Sequence, residues 1–179
     1  MLDIRNCSLA VVDVQGKLAQ LMHGKDALFK NVQILIQAAG ILEIPVLWCQ
    51  QIPDVLGPTV PEISRLMADI EPMNKSVFSC CGADQFISRL NESARNQVLL
   101  CGIEAHICVY QTAFDLLGKG FKVDVVADAV SSRTPENKRI ALNRLAAEGA
   151  SITSVEMALF ELLRTAEHPK FRQIAKLIK

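Results

Sequence analysis

The sequence lacks the features that typify membrane proteins and nucleic-acid-binding proteins. No apolar run approaches the roughly 20 residues that a transmembrane helix needs, and the first apolar stretch, Cys7–Val14, is interrupted by Asp13 and does not resemble a signal peptide. Neither sign of charge is in excess, because 19 lysine and arginine residues balance 19 aspartate and glutamate residues. We therefore expect a small-molecule partner, no nucleic acid or membrane partner, and a cytoplasmic location.

Motifs for metals, nucleotides and serine nucleophiles are also missing. The 6 cysteines stand at positions 7, 49, 80, 81, 101 and 108 and form no Cys-x-x-Cys pair, while the 3 histidines are scattered at 23, 106 and 168. The chain has no Gly-x-Gly-x-x-Gly fingerprint, phosphate loop or Gly-x-Ser-x-Gly elbow. We expect free thiols, no metal and no other cofactor.

What the sequence does contain is an alternation of short apolar runs with helical patterns. The predicted strands are Ser8–Val14, Pro45–Gln50, Ser76–Phe78, Gln97–Cys101, Lys122–Ala127 and Ala150–Thr153. The predicted helices cover Asp26–Leu42, Glu62–Met67, Ala83–Asn91, Ile107–Lys119, Pro135 to about Gly149 with Thr134 as the cap, Glu156–Arg164 and Pro169–Ile178. With 179 residues, half of them hydrophobic, the chain is expected to form a single domain, 1–179.

Strict alternation of strands and helices predicts an α/β fold of the Rossmann-like type. We expect an open, doubly wound, mainly parallel six-stranded sheet of order 3-2-1-4-5-6 with helices on both faces. Ligands of such sheets bind beyond the carboxyl ends of the strands, where the strand order reverses. That point lies between strands one and four, so we look for reactive side chains there.

Cys108 and Asp13 follow these two strands. Cys108 lies in the first turn of the helix after strand four, where unpaired amides and the helix dipole favour a thiolate. An inert core thiol is the alternative, since free cysteines are among the most buried residues. Asp13 ends strand one, and no helix begins directly after it for the side chain to cap.

These residues belong to a wider pattern that resembles the isochorismatase-like family of cysteine hydrolases. The pattern joins Asp13, a lysine before an aromatic residue in 72–78, the segment Gly102–Val109, and the segments 112–113 and 128–129. It spans about Arg5 to Arg164, and the segments 56–62 and 128–133 are most similar to the isochorismatase domain-containing subgroup.

The resemblance implies an Asp-Lys-Cys triad. Cys108 would be the nucleophile, Asp13 the general base, and Lys75, at the start of predicted strand three, would hold Asp13 in place. The resemblance also implies a non-proline cis peptide between Ile103 and Glu104 and an oxyanion hole formed by the backbone amides of Glu104 and Cys108. Side chains expected to bind substrate are Gln15, Leu18, Gln51 and Phe78, and Ile52 and Leu56 could line the same pocket, although each of the apolar ones could equally be core. We expect His106 in a pocket wall or the core.

Two departures from the family pattern limit the reactions that we expect this chain to catalyse. Nicotinamidases of the family have metal-binding histidines after strand two, whereas this chain reads Cys49-Gln50-Gln51-Ile52-Pro53 there. Isochorismatases proper need no cysteine, so Cys108 favours hydrolysis of an amide-like C–N bond, or another acyl bond, through a thioester. A non-catalytic oligomeric binding scaffold and a thiol redox or sensor protein remain the alternatives.

The C-terminal segment carries a prediction about assembly. Its apolar residues recur at helical spacing in 171–178. We expect this stripe to pack on a second copy in a homo-oligomer, a dimer or a multiple of it. The alternative is that the helix docks on its own chain.

Overall fold

One six-stranded sheet forms the centre of the fold, and every strand runs parallel to its neighbours. The computed structural model describes residues 1–179. Its strands are β1 (Cys7–Val12), β2 (Val46–Gln51), β3 (Met73–Lys75), β4 (Gln97–Ile103), β5 (Lys122–Ser131) and β6 (Ser151–Thr153). The strand order β3-β2-β1-β4-β5-β6 confirms the predicted doubly wound topology.

Helices cover both faces of this sheet. They are α1 (Gly16–Gln20), α2 (Lys25–Ile41), α3 (Pro53–Leu56), α4 (Pro61–Ser64), α5 (Asp84–Glu92), α6 (Tyr110–Gly118), α7 (Pro135–Ala147), α8 (Val155–Leu163) and α9 (Phe171–Ile178). Thr134 caps α7 as predicted: its Oγ1 accepts a hydrogen bond from the Asn137 N–H at 3.3 Å, and Pro135 occupies the first helical position.

The two faces of β1 show why this strand is apolar at every position except Ser8. Leu9 and Val11 point into a core layer with α2 and α8, whereas Ala10 and Val12 point into a second layer with α5, α6 and α7. Side chains alternate along a strand, so a strand covered on both faces favours apolar residues at consecutive positions. All six residues of β1 are buried accordingly.

The third and fifth strands differ from their predicted bounds by at least three residues, whereas the other strands agree within two. Strand three is Met73–Lys75 and not Ser76–Phe78, because Met73 and Lys75 are the residues that point inward, while Ser76–Phe78 are exposed. Strand five continues past Ala127 to Ser131, since an irregularity in its register with β4 lets it resume pairing at Val130. Lys75 therefore lies at the end of its strand, beside the other strand ends, and not at its start.

Gly102 explains how β4 approaches β1 so closely. Its φ is +116°, and a Cβ at this position would lie 2.0 Å from the carbonyl oxygen of Val12. Only glycine is compatible with both requirements. The contact lies one residue before Asp13, so it fixes the end of β1 next to the segment that carries Cys108.

The C-terminal helix packs on its own chain, which is the alternative to the predicted interface with a second copy. Residue Ile174 on α9 is fully buried, and Phe171, Leu177 and Ile178 pack against the core layer that contains α2 and α8. The rings of Phe160 and Phe171 lie 6.2 Å apart. The apolar stripe is thus already covered by the chain's own helices. No helix in the structure is both long and apolar enough to cross a lipid bilayer.

Candidate active site

The ends of β1, β3 and β4 bring Asp13, Lys75 and Cys108 together at the carboxyl edge of the sheet. Asp13 directly follows β1, Lys75 is the last residue of β3, and Cys108 is the fourth residue of a π-helical turn, Ala105–Val109, between β4 and α6. The Lys75 Nζ donates a hydrogen bond to Asp13 Oδ2 at 2.6 Å. Three positions separated by up to 95 residues in sequence (13 to 108) thus form one cluster at the point where the strand order reverses.

Lys75 is held by oxygen atoms only. Its Nζ donates to Asp13 Oδ2, to Gln51 Oε1 at 2.7 Å, and to the carbonyls of Phe78 at 3.0 Å and Val77 at 3.2 Å. The side chain is 0 % exposed. Burial by itself lowers the pKa of this ammonium group, but the negative charge of Asp13, the hydrogen bond to Asp13 and other nearby groups together outweigh burial, so the pKa is raised. Lys75 therefore stays charged at neutral pH.

Asp13 has one satisfied and one free carboxylate oxygen. Oδ2 accepts from Lys75, whereas Oδ1 is buried and accepts no hydrogen bond of ordinary length. The φ of Asp13 is +51°, a left-handed conformation that aspartate adopts more readily than most residues. Burial raises the pKa of Asp13, and the Lys75 charge opposes this effect without cancelling it. The free oxygen is thus more basic than that of an ordinary aspartate.

Cys108 faces this carboxylate as a thiol and not as a thiolate. Burial raises the pKa of Cys108, the neighbouring Asp13 charge raises it further, and Lys75 lowers it by less. The prediction that the helix terminus favours an anionic Cys108 is therefore wrong for the free site, because the terminus is buried and lies beside an anion. A nucleophile here must lose its proton during the attack, and Asp13 is the adjacent acceptor.

The segment that precedes Cys108 contains a backbone amide without a hydrogen-bond partner. The peptide bond between Ile103 and Glu104 is cis, as the resemblance implied. The Glu104 carbonyl accepts hydrogen bonds from the N–H groups of Ile107 at 3.0 Å and Val109 at 3.2 Å, whereas the Glu104 N–H donates to no group of the chain. A free N–H four residues before a candidate nucleophile is a candidate donor to an oxyanion.

The Glu104 side chain is tied to the end of the neighbouring strand. Its Oε2 accepts hydrogen bonds from the backbone N–H and the Nε of Arg133, both at 3.2 Å. The Glu104 side chain is 6 % exposed, whereas that of Arg133 is 56 % exposed. This ion pair anchors the residue whose N–H is free. This ion pair could not be predicted from the sequence, because no sequence pattern links residues that are 29 positions apart.

A cavity of about 130 Å³ opens at the triad. Asp13, Cys108, Gln51 and Glu104 contribute its polar lining. The apolar lining comes from Leu18, Leu56, Phe78, Ile103 and Ile107. Of the predicted substrate-binding side chains, Leu18, Gln51 and Phe78 therefore reach the cavity, and Leu56 joins them. Ile103 and Ile107 also line the cavity, although the sequence analysis did not predict them as substrate-binding residues.

Gln15 does not line this cavity. It is fully buried and clamps the end of β2: its Oε1 accepts from the Gln51 N–H at 2.6 Å, and its Nε2 donates to the carbonyls of Gln51 at 3.1 Å and Gly57 at 2.7 Å. Every polar atom of its amide is thus used within the chain. Gln15 positions Gln51 and the loop that carries Leu56, and it is not placed to touch a ligand.

The remaining polar residues lie outside the triad. The half-buried His106 has its Nδ1 2.9 Å from Ser132 Oγ and does not line the cavity, so it lies neither in the predicted pocket wall nor in the core. All 6 cysteines are free. Outside the triad, burial raises the pKa values of Cys7 and Cys81 to about 12, which keeps those thiols protonated. No group of three or more His, Cys, Asp or Glu side chains is arranged to hold a metal ion.

Comparison with known proteins assigns the family. Residues 7–157 match the model of the isochorismatase domain. The chain is 42 % identical to the secreted isochorismatase effector Isc1 of Phytophthora sojae, over 96 % of this chain and 83 % of that protein. It is 37 % identical to the isochorismatase domain-containing protein 2 of Danio rerio, over 99 % of this chain and 89 % of that protein.

A solved structure shows the same fold. The chain superimposes on a structure named MAR1 ribonuclease from Caenorhabditis elegans with a TM-score of 0.93 and 37 % identity, over 99 % of this chain and 91 % of that one. The chain therefore belongs to the isochorismatase family of hydrolases and resembles its isochorismatase domain-containing members.

Proposed function

We propose that this protein is a cysteine-dependent hydrolase that cleaves an amide-like or other acyl bond of a small molecule through a thioester on Cys108. One observation carries the proposal: Asp13 and Cys108 line the same cavity, the buried Oδ1 of Asp13 has no hydrogen-bond partner, and Lys75 holds the other oxygen of the same carboxylate at 2.6 Å. This is the geometry of a general base that is held in position and has one basic site available for one proton.

In the first half-reaction, Cys108 Sγ attacks the substrate carbonyl carbon and its proton passes to Asp13 Oδ1. The carbonyl electron pair moves to oxygen, where the N–H of Glu104 and that of Cys108 stabilise the negative charge. Removing one such donor costs other hydrolases about 3–4 kcal/mol of transition-state stabilisation. When the carbon–nitrogen bond breaks, the leaving amine takes the proton from Asp13, and the acyl group remains on sulfur.

In the second half-reaction, water attacks the thioester and gives a proton to Asp13. The tetrahedral intermediate expels the Cys108 sulfur, which regains its proton from Asp13, and a carboxylic acid is released. A general base with a raised pKa suits both directions of transfer, because it must bind the proton and return it in every half-reaction. Lys75 contributes by keeping the carboxylate ionised and correctly oriented.

The test is a screen of primary amides, carbamoyl compounds and esters against the wild type and five variants. Cys108→Ala and Asp13→Asn should each abolish hydrolysis, and the double variant should be little worse than either, because residues that act as one unit give non-additive losses. Cys81→Ser removes a half-buried thiol outside the cavity and should leave the rate unchanged. Substantial activity in Cys108→Ser, or additive losses, would contradict the thioester mechanism.

We also propose that the protein assembles as a homo-oligomer, a dimer or a multiple of it. The chain superimposes with a TM-score of 0.93 and 23 % identity on the Escherichia coli YcaC gene product, which is described as an octameric hydrolase. Exposed apolar side chains other than those of the C-terminal helix, among them Phe114, Ile140 and Met157, support this proposal. A monomer by light scattering at micromolar concentration would contradict it.

A further inference from the structure

We propose that the cavity selects a short, uncharged, apolar acyl group and rejects substrates that carry a carboxylate, an inference that rests on the proposed hydrolase function. The family assignment leaves the substrate open. The composition, charge and volume of the cavity limit it.

The cavity offers no cation to an anionic ligand. Its lining contains two carboxylates, those of Asp13 and Glu104, and no lysine or arginine. Lys75 is close to it but is 0 % exposed, and its Nζ already donates to four oxygen atoms. A carboxylate of the substrate would therefore lose its hydration shell without gaining a charged partner, which is unfavourable.

The one nearby guanidinium group does not change this conclusion. Arg133 Nε is paired with Glu104 Oε2 at 3.2 Å, and its side chain does not line the cavity and is 56 % exposed to solvent. Glu104 is in turn neutralised by Arg133, as Asp13 is by Lys75. The two paired carboxylates therefore leave no strong net charge to attract a cationic group, and the favoured acyl group is neutral.

The volume sets the size of that group. An apolar cavity of about 150 Å³ accommodates a ligand of the size of benzene, and the cavity here measures about 130 Å³. Five of its lining residues, Leu18, Leu56, Phe78, Ile103 and Ile107, are aliphatic or aromatic. A branched or linear acyl chain of about three to five carbons matches this space, and longer chains must extend into solvent and gain little from it.

The experiment compares kcat/KM for amides that are matched in size and differ in charge. Isovaleramide and malonamate form a neutral and anionic pair, and propionamide and glycinamide form a neutral and cationic pair. We expect each neutral member to exceed its charged partner, the anion by at least about 100-fold. Equal rates within either pair, or a preference for glycinamide, would overturn the inference.

Alkylation provides a readout that does not require turnover. Iodoacetamide and iodoacetate differ only in charge at similar size, and peptide mass mapping reports the rate at each cysteine. Relative to Cys81 on the same chain, Cys108 should favour iodoacetamide over iodoacetate by at least about tenfold. The same ratio at both cysteines would refute the charge selectivity. If no amide is hydrolysed but Cys108 discriminates, the hydrolase proposal fails while the selectivity of the cavity stands.

A gain-of-function variant tests whether the missing cation causes the selectivity against anions. Leu56 lies on α3 and is half-buried, so Leu56→Arg can supply the missing cation at the cavity rim. It should raise kcat/KM for malonamate relative to isovaleramide, while Leu56→Met, the neutral control, should leave the ratio unchanged. A folded Leu56→Arg protein with an unchanged ratio would contradict an electrostatic origin of the selectivity.

Discussion

Replacement of Lys75 by methionine should make the stability of the protein depend on pH in a direction set by Asp13. Methionine keeps a long, unbranched side chain and removes the ammonium group. In the wild type that group contacts Asp13 Oδ2 at 2.6 Å, and the two side chains are 0 % and 3 % exposed. The variant leaves a buried carboxylate that has no charged partner.

The expected magnitude follows from this burial. Removing one partner of a buried ion pair costs about 3–5 kcal/mol when the other charge remains. Asp13 can escape part of this cost by binding a proton, because burial already raises its pKa and the loss of Lys75 must raise it further. A carboxyl whose folded pKa exceeds the unfolded value of 3.8 stabilises the fold fully only below that value. As pH rises through the interval between the two pKa values, the variant loses about 1.4 kcal/mol per pH unit.

The assay is urea unfolding at pH 5 and pH 8, followed by the fluorescence of Trp48, the 1 tryptophan of the chain. Lys75→Met should be destabilised relative to wild type at both values and by at least about 1–2 kcal/mol more at pH 8. Adding Asp13→Asn should remove most of the extra loss. Lys30→Met, on the exposed side of α2, is the matched control and should change little. A deficit that is identical at the two pH values would refute the assignment of a buried, partnerless Asp13.

Three further outcomes follow from the same structure. In the pH profile of kcat/KM, the loss of activity on the acid side should occur above pH 3.8, because burial raises the pKa of Asp13. No loss from Lys75 should appear on the alkaline side below pH 10.5, because the pKa of Lys75 is raised. A rate that still rises above pH 9 would point to titration of the thiol instead. Gly102→Ala should lower the free energy of unfolding by at least about 1–3 kcal/mol, measured by urea, because its φ is +116° and the new Cβ would meet the Val12 carbonyl; a neutral effect would contradict this contact. Prolonged treatment with a chelator should leave activity unchanged, since no histidine lies in the segment directly after β2, and restoration of lost activity by zinc or iron would reveal a missed site.

Much of this site follows from the positions of the strands. Asp13 and Cys108 can be paired from the sequence alone, because each follows a buried apolar run and the predicted order makes those strands neighbours. Lys75 cannot be found in this way. A strand of 3 residues is too short to show a periodicity, so its predicted boundary is wrong and its lysine is recognised only through the family resemblance.

The predicted protonation state of Cys108 is wrong for a related reason. Position at a helix terminus is visible in a sequence, whereas burial of that terminus and the proximity of an anion are tertiary properties. Gln15 shows the same limit. Its position two residues after Asp13 suggests a place in the site, but only the structure shows that its side-chain amide is fully hydrogen-bonded to the backbone of Gln51 and Gly57.

The C-terminal helix shows that periodicity in a sequence identifies the apolar face of a helix but not the surface on which that face packs. The stripe in 171–178 is a packing surface, as its spacing predicts, and the structure shows α2 and α8 of the same chain against it. Amphipathic spacing is identical for a helix that docks in cis and one that docks on a second copy.

The most direct test of the mechanism is the identity of the acylated residue. Wild-type protein mixed with p-nitrophenyl butyrate and quenched in acid should show a burst of about one equivalent of nitrophenol. Mass mapping should place the butyryl group on Cys108. Cys108→Ala should show neither signal. An undiminished burst in Cys108→Ala, or a butyryl group on another residue of the active wild type, would contradict the central claim that Cys108 forms the thioester.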